Sequence, residues 1–555
     1  MWDYALDLKN FHQASHDLPV VPILVATKAS SSITVLRADA DKVCRPLLVN
    51  SDALRGALDR ALTAITGPAI DVTRWATSPY HPTPTIVEAA RVLYSQHSVD
   101  EIARFDAGAK NLRLTSLRIE QLVEQARREK QKLICFVTGV PGAGKTLVGL
   151  NVATRRREVD QSELAVFLSG NGPLVAVLRE ALTRDEVERR RSLGERTRKG
   201  RVGETVKAFI QNVHHFRDDA LANEAPPAEH VVIFDEAQRA WNLRQTASFM
   251  RRNKGLPGFN QSEPEFLVSC MDRHKDWSVV VCLVGGGQEI NIGEAGISAW
   301  IEAIQSAFQG WRVYISDRLI DTEYSTGTAL AALGSREHVY LEPDLHLAVS
   351  MRSFRAEHVS TFVKAVLDRE KEKAREALAT IVGKYPIRLT RDLNRAKEWV
   401  RAQARGSERF GLVASSKAQR LKPHAVDVRV NVDPVHWFLN DGSDTRSSFY
   451  LEDAATEFQV QGLELDWACV TWDGDLRYTD QGWGYKDFRG SKWTNIKDEA
   501  NQSYLRNAYR VLLTRARQGM VIFVPQGDPR DPTREASIYD PTFSYLADLG
   551  VPILS

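Results

Sequence analysis

Little in this chain is extreme, and each shortage removes a class of explanation. Five cysteines in 555 residues, Cys44, Cys135, Cys270, Cys282 and Cys469, are scattered without any regular spacing. They offer neither a disulfide framework nor a zinc-ligand pattern, and Cys135, Cys282 and Cys469 sit in apolar, strand-like runs. The expectation is buried free thiols in a reducing compartment, the cytoplasm. No apolar run is long enough to span a bilayer, and Met1 is not followed by a basic-then-apolar leader, so no membrane partner is expected. The formal net charge is only +2, with 26% charged residues, so no global field draws the chain to nucleic acid and any such contact must use local patches. Internal repeats and low-complexity tracts are also missing. What remains is a chain long enough for about three or four packed domains.

Short β-branched runs alternate with helical patterns along the whole length. Candidate buried strands are 20–25, 133–137, 164–168, 231–234, 278–284, 410–414, 467–472 and 520–524. Near-continuous apolar strands separated by helices are the pattern of parallel sheets covered on both faces, an α/β fold. The expected organisation is an N-terminal α/β region over 1–108, a first lobe over 109–340 and a second over 341–555. The turn-rich stretch Ser78-Pro-Tyr-His-Pro-Thr-Pro-Thr85 lies inside the N-terminal region.

The most informative segment is Gly139-Val140-Pro141-Gly142-Ala143-Gly144-Lys145-Thr146. It has the spacing G-x-x-x-x-G-K-T, follows the apolar run from Leu133 to Val137, and precedes a helical pattern. In that context the glycines let backbone N–H groups crowd around a triphosphate, Lys145 reaches its outer phosphates, and the Thr146 hydroxyl binds Mg²⁺. ATP and Mg²⁺ are therefore the expected cofactors.

A phosphate loop alone says only that a nucleotide binds. Val231-Val-Ile-Phe-Asp-Glu-Ala-Gln-Arg239 adds a strand that ends in two carboxylates. Asp235 is placed for the Mg²⁺ side of the phosphates and Glu236 for polarising an attacking water. A third apolar strand ends in Gly285-Gly-Gly-Gln288, where a glutamine can sense the γ-phosphate. Two further stretches offer nucleic-acid contacts. The run from Arg189 to Arg201 is rich in arginine, and Trp472–Lys497 interleaves aromatic with basic residues. The first is either a solvated face or a phosphate-backbone contact, and the second either a small aromatic core or a base-stacking track.

Taken in order, these motifs resemble the superfamily 1 helicases of the UvrD/Rep type. Gly139–Thr146 stands as motif I, Ser169-Gly-Asn-Gly-Pro-Leu174 as motif Ia, Asp235-Glu-Ala-Gln238 as motif II and Gly287-Gln288 as motif III. Val349-Ser-Met-Arg-Ser353 stands as motif IV, Thr456-Glu-Phe-Gln-Val-Gln-Gly-Leu-Glu464 as motif V and Tyr509-Arg-Val-Leu-Leu-Thr-Arg-Ala516 as motif VI. The chain is more closely similar to a bacterial DNA/RNA helicase-like family related to the Schlafen helicase domain. Phe136–Thr146, Phe209-Ile-Gln-Asn-Val-His-His-Phe216 and Gly285-Gly-Gly-Gln-Glu-Ile290 carry that similarity.

The resemblance implies two RecA-like P-loop lobes that sandwich ATP. Lys145, Thr146, Asp235, Glu236 and Gln288 come from the first, and Arg352 and Arg515 reach in from the second. It implies that Glu464 contacts the nucleotide ribose, and that single-stranded DNA or RNA lies across both lobes and is stepped by hydrolysis. Departures accompany it. Met351 replaces the aromatic residue that stacks on adenine, and the glutamine of the Q motif is either Gln121 or Gln125. The stretch from Arg352 to Thr456 is too short for an inserted duplex-handling subdomain. Trp2-Asp-Tyr-Ala-Leu-Asp-Leu-Lys-Asn-Phe-His12 resembles the helix that follows the catalytic core of PD-(D/E)XK nucleases. That points to a nuclease partner or an upstream nuclease domain, and to antiviral defence. The alternatives to a motor are a nucleotide-gated interaction module and the motor half of a nuclease–helicase system.

Overall fold

The computed structural model describes residues 1–30, 35–39, 41–65, 69–78, 85–95, 107–140, 142–159, 165–285, 296–320, 333, 336–348 and 358–554. Its strands, in chain order, begin with the parallel pair β1 (Ile23–Val25) and β2 (Leu47–Val49). Next come β3 (Lys132–Gly139), β4 (Ala165–Ser169), β5 (Ile210–Asn212), β6 (Val231–Asp235), β7 (Ser278–Leu283), β8 (Arg312–Ile315), β9 (Val339–Leu341) and β10 (His346–Leu347). These form one parallel sheet in the order β5-β4-β6-β7-β3-β8-β9, with β10 paired to the end of β3.

Strand alternation explains why the middles of β3, β6 and β7 are continuously apolar. Leu133, Cys135 and Val137 of β3 enter one core cluster with Val231, Ile233, Val279 and Val281. Ile134 and Phe136 enter the opposite cluster with Val232, Phe234, Val280 and Cys282. A strand buried on both faces has no solvent side on which to place polar residues. Helices Ala107–Glu129, Lys145–Val159 and Gly172–Ser192 cover the first face, and helices Val213–Ala222, Glu263–Asp272 and Ser298–Ala307 cover the second.

A second parallel sheet contains β11 (Ile387–Thr390), β12 (Phe410–Ala414), β13 (Ala454–Thr456), β14 (Leu465–Thr471) and β18 (Ala516–Phe523), ordered β11-β18-β14-β12-β13. Between β14 and β18 the chain forms an antiparallel ribbon, β15 (Leu476–Thr479), β16 (Gly482–Arg489) and β17 (Lys492–Asn495). The α/β class with two parallel sheets is thus the observed architecture. The two halves share one apolar cluster, in which helix Gly172–Ser192 packs against helices Pro434–Leu439 and Glu457–Val460. All five cysteines are free and buried, and burial pushes the Cys135 thiol up to about 12. Among the described residues no helix is long and apolar enough to cross a membrane.

The N-terminal region touches both sheets' helices and edges. Helix Ile86–Tyr94, opened by a capping box between Thr85 and Glu88, packs on helices Lys145–Val159 and Gly172–Ser192. At the other end Arg405 makes a two-pronged pair with Asp41, at 2.9 and 2.7 Å. Asp3 accepts from the Ser407 backbone N–H at 2.9 Å and from its hydroxyl at 3.2 Å. Gly406 between them has φ +57°, and a Cβ there would lie 2.0 Å from Asp3 Oδ1, so only glycine fits. Between these attachments lies a cavity of about 550 Å³ lined by Asp7, Asn10, Glu88, Glu464, Asp466 and Arg517 among others.

In that cavity the Asp7 carboxyl is pushed up from 3.8 to about 6, first by burial and then by Glu88 and Asp3. Its charged form is therefore disfavoured by folding. Well below pH 4, Asp7 is protonated in both the folded and the unfolded chain, and no penalty arises. The penalty grows as pH rises toward about 6 and is complete above it. Asp7→Asn is expected to raise Tm relative to the parent chain at neutral pH and to raise it much less near pH 4. Thermal melts at both pH values check this, and an equal shift at the two would reject it.

Candidate nucleotide site

The site begins where β3 meets the next helix. Gly142 and Gly144 have φ of +77° and +84°, left-handed conformations that let the loop curl with its N–H groups inward. Lys145 starts the helix, and its ammonium donates to the carbonyls of Gly139 (2.8 Å) and Val140 (3.4 Å) at the rim of the loop. The Thr146 hydroxyl donates to Asp235 Oδ1 at 3.0 Å. Thus the loop after β3 and the end of β6 meet as the motif order implied. Pro141 lies outside the described residues.

Asp235 is 5% exposed, and its other oxygen, Oδ2, is buried without a hydrogen-bond partner. Burial, and then the neighbouring Glu236 carboxylate, push its carboxyl above the ordinary aspartate range. A buried carboxylate oxygen with nothing to bond, beside a hydroxyl, is the donor set of a hard divalent cation such as Mg²⁺, and the residues present fit that ion. Glu236 turns the chain with φ +52° and ψ +46°, a conformation that costs a non-glycine residue of order 1–3 kcal/mol. Its carboxylate accepts from Gln238 Nε2, while Gln238 Oε1 accepts from the Gly285 backbone N–H at 2.9 Å. One glutamine therefore joins the carboxylate to the first residue of the loop that leads to Gln288. Gln288 itself lies outside the described residues, as do Met351 and Arg352.

Of the second-half residues, Glu464 and Arg515 are brought together. They immediately precede β14 and β18, neighbouring parallel strands in which Leu465 pairs with Ala516, and Leu465 N–H donates to Arg515 O at 3.1 Å. Arg515 is 7% exposed and its Nε donates to Val511 O at 3.0 Å, in the helix Glu499–Leu513 that precedes it. Glu464 lines the cavity shared with the N-terminal region. Gln121 accepts from Arg118 at 3.3 Å and Gln125 donates to Glu129 at 3.4 Å, both on the helix that leads into β3.

The joint between the halves lies close by. Gln461 accepts twice: its side-chain oxygen takes Arg239 Nη1 at 2.7 Å, and its backbone oxygen takes Asn171 Nδ2 at 2.5 Å. Asn171 also caps helix Gly172–Ser192 through Leu174 N–H. One residue from the loop after helix Glu457–Val460 thus touches both the loop after β4 and the segment after β6. Gln238, Asn171, Arg239 and Gln461 have no role in the sequence reading. All four fall inside motifs already recognised or directly after them, but the motifs do not show which faces meet.

The arginine run is partly neutralised. Glu186 binds Arg189 and Arg190 at 2.8 and 2.6 Å, and Glu180 binds Lys199 at 2.6 Å. Arg191, Arg196, Arg198 and Arg201 are exposed. The aromatic stretch is built into the fold. Trp483 donates its indole N–H to Leu367 O (2.7 Å), Trp493 donates to Thr533 O (2.8 Å), and Tyr478 stacks on Tyr545.

The sequence family described as "Schlafen group 3, DNA/RNA helicase domain" matches residues 132–526. This chain belongs to that family. No curated protein matches the chain. Among solved structures, the helicase domain of Hef from Pyrococcus furiosus aligns at 14% identity, covering 75% of this chain and 97% of that one, with a TM-score of 0.25. In this Schlafen group 3 helicase domain the matched span runs from the first residue of β3 to just beyond β18, so it takes in both parallel sheets.

For the same domain, Gln238 is the positioning residue its geometry singles out. Gln238→Ala removes a hydrogen bond to a carboxylate, worth about 1.5–3 kcal/mol. If Glu236 acts in hydrolysis, turnover is expected to fall by about ten- to hundredfold, with nucleotide affinity little changed. Steady-state hydrolysis and nucleotide titration on one preparation check this. Unchanged turnover would remove Gln238 from the site.

Proposed function

We propose that the chain is an ATP-driven nucleic-acid motor of the superfamily 1 type. The observation that carries the reading is the Thr146–Asp235 hydrogen bond beside an unpartnered, buried Asp235 oxygen. In this reading Lys145 leaves its rim carbonyls for the outer phosphates, and Thr146 and Asp235 hold Mg²⁺. The ion, when bound, neutralises charge on the phosphates. Glu236, held by Gln238, orients the attacking water and takes its proton. Glu464 meets the ribose. Arg515 gives up the Val511 carbonyl to reach the transferred phosphoryl group, with Arg352 and Gln288 completing the set. The Gln461 joint carries the change between the halves, and single-stranded DNA or RNA is the track.

The aromatic stretch packs within the protein, which favours the four exposed arginines between Arg191 and Arg201 over the tryptophans as the electrostatic contact. A cytoplasmic setting, and a role beside a nuclease partner or an upstream nuclease domain in antiviral defence, belong to the same proposal. The second reading is a nucleotide-gated interaction module. It is favoured by the close apolar packing that joins the two halves.

The deciding experiment is ATP hydrolysis with Mg²⁺, alone and with single-stranded DNA, single-stranded RNA or duplex. The motor reading expects stimulation by a single strand. It also expects nucleotide-binding but inactive Glu236→Gln, and loss of about 10³-fold or more in stimulated turnover for Arg515→Ala with unchanged Tm. Slow turnover indifferent to nucleic acid would select the gated module instead.

A further inference from the structure

A second cluster of ligand-type side chains lies at the opposite end of β6 from Asp235. His230 immediately precedes β6, and His274 and Asp276 lie in the turn between helix Glu263–Asp272 and β7. One nitrogen of each ring and a carboxylate oxygen of Asp276 all lie within 4.8 Å of one another. The spacing in sequence hides this group, because parallel strand pairing is what brings the two ends together. Val279 N–H donates to His230 O at 2.8 Å.

Each ring has one nitrogen held at a backbone carbonyl. His230 Nδ1 lies 2.9 Å from Trp277 O, and His274 Nε2 lies 3.1 Å from Glu229 O. A carbonyl can only accept, so each of those nitrogens carries the proton and each ring keeps one lone-pair nitrogen. A backbone carbonyl that fixes the tautomer of a ligand histidine is a recurrent outer-sphere feature of metal sites. Further contacts hold the rings in place. Trp277 stacks on His230 with centroids 4.4 Å apart, and His274 lies against the other ring at 4.1 Å. The nearby Lys132 ammonium is engaged by Asp272, at 2.8 Å from its carboxylate. Asp276 is exposed and His274 is buried, so an ion has a path in from solvent and a seat against the protein.

We propose that His230, His274 and Asp276 bind one divalent transition-metal ion of the zinc class, with water as the fourth ligand. Two imidazoles and a carboxylate suit zinc better than magnesium or calcium, which take oxygen ligands. Ligand atoms around a tetrahedral zinc stand about 3.3 Å apart, given bonds near 2.0 Å, so binding draws the three ligand atoms together while the two rings, 4.1 Å apart at their centroids, reorient. The ion ties the start of β6 to the turn before β7, at the sheet edge away from the phosphate loop. The proposal does not depend on nucleotide hydrolysis.

The test uses the full chain without a histidine tag, stripped with chelator and titrated with Co²⁺ and then Zn²⁺. The expected results are one tight equivalent per chain, the visible absorption of tetrahedral cobalt lost on adding zinc, and a higher Tm in zinc than in chelator. Asp276→Asn and His274→Gln are each expected to weaken binding by about tenfold or more and to abolish the zinc-dependent Tm rise. Asp276 is exposed, so its substitution leaves Tm in chelator unchanged and decides the matter even if His274→Gln folds poorly. No tight equivalent in the parent chain, or Asp276→Asn binding as the parent does, overturns the site.

Discussion

The hydrogen bond from Thr146 to Asp235 is the constraint on which the rest of the first half depends. The two residues are 89 positions apart, Asp235 ending β6 and Thr146 in the helix that follows β3, and the two strands are not neighbours, since β7 runs between them. Adjacent strands lie about 4.8 Å apart, so the contact must bridge roughly 10 Å of sheet edge. It forms because the helix after the loop is set down close over the strands. At Gly149, in that helix, a Cβ would come within 2.7 Å of Leu283 Cδ1 and 3.0 Å of Ile233 Cγ2. A larger residue there would lift the helix and with it the hydroxyl. The same closeness leaves Asp235 dry, which raises the cost of its charge and leaves an oxygen to be satisfied by a cation.

The second half is attached through polar contacts made by a few residues set within an apolar joint. Gln461 carries two of them, and Gly462 beside it has φ +77°, with Leu174 Cδ2 at 3.1 Å from where a Cβ would stand. Arg184 adds a bond to Asn440 at 2.9 Å. The apolar packing supplies area, which is insensitive to small shifts, and the amide contacts supply register. Their residues follow β4, β6 and β13, so the joint sits beside the carboxylates rather than remote from them.

Much of this was legible in the chain itself, for a physical reason. A parallel strand buried on both faces is apolar along most of its length, and the apolar runs of β3, β6, β7, β12, β14 and β18 announce themselves that way, with polar residues such as Asp466, Arg517 and Gln518 only toward their ends. The ribbon β15–β17 does not, because every residue of β16 is partly exposed except Arg489, which is fully so, and its aromatic and basic residues alternate without a dry face. Composition left open a small aromatic core or a stacking track. Tyr478, Trp483 and Trp493 spend their rings and N–H groups on the protein, a choice made by Tyr545, Leu367 and Thr533 from distant parts of the chain. The phosphate loop and Asp235-Glu236 could be read because each is local. Gln238 to Gly285, or Gln461 to Asn171, could not, because each is a meeting of two loops.

The N-terminal region gives the molecule a second point of attachment between its halves. Helix Ile86–Tyr94 rests on the helices of the first sheet, while Asp41 and Asp3 hold Arg405 and Ser407 beside the second. Two bodies joined at one place can swing in any direction about it. The N-terminal region is therefore a second tether, and any relative movement of the halves must break or carry along the Asp41–Arg405 and Asp3–Ser407 contacts as well as those of Gln461.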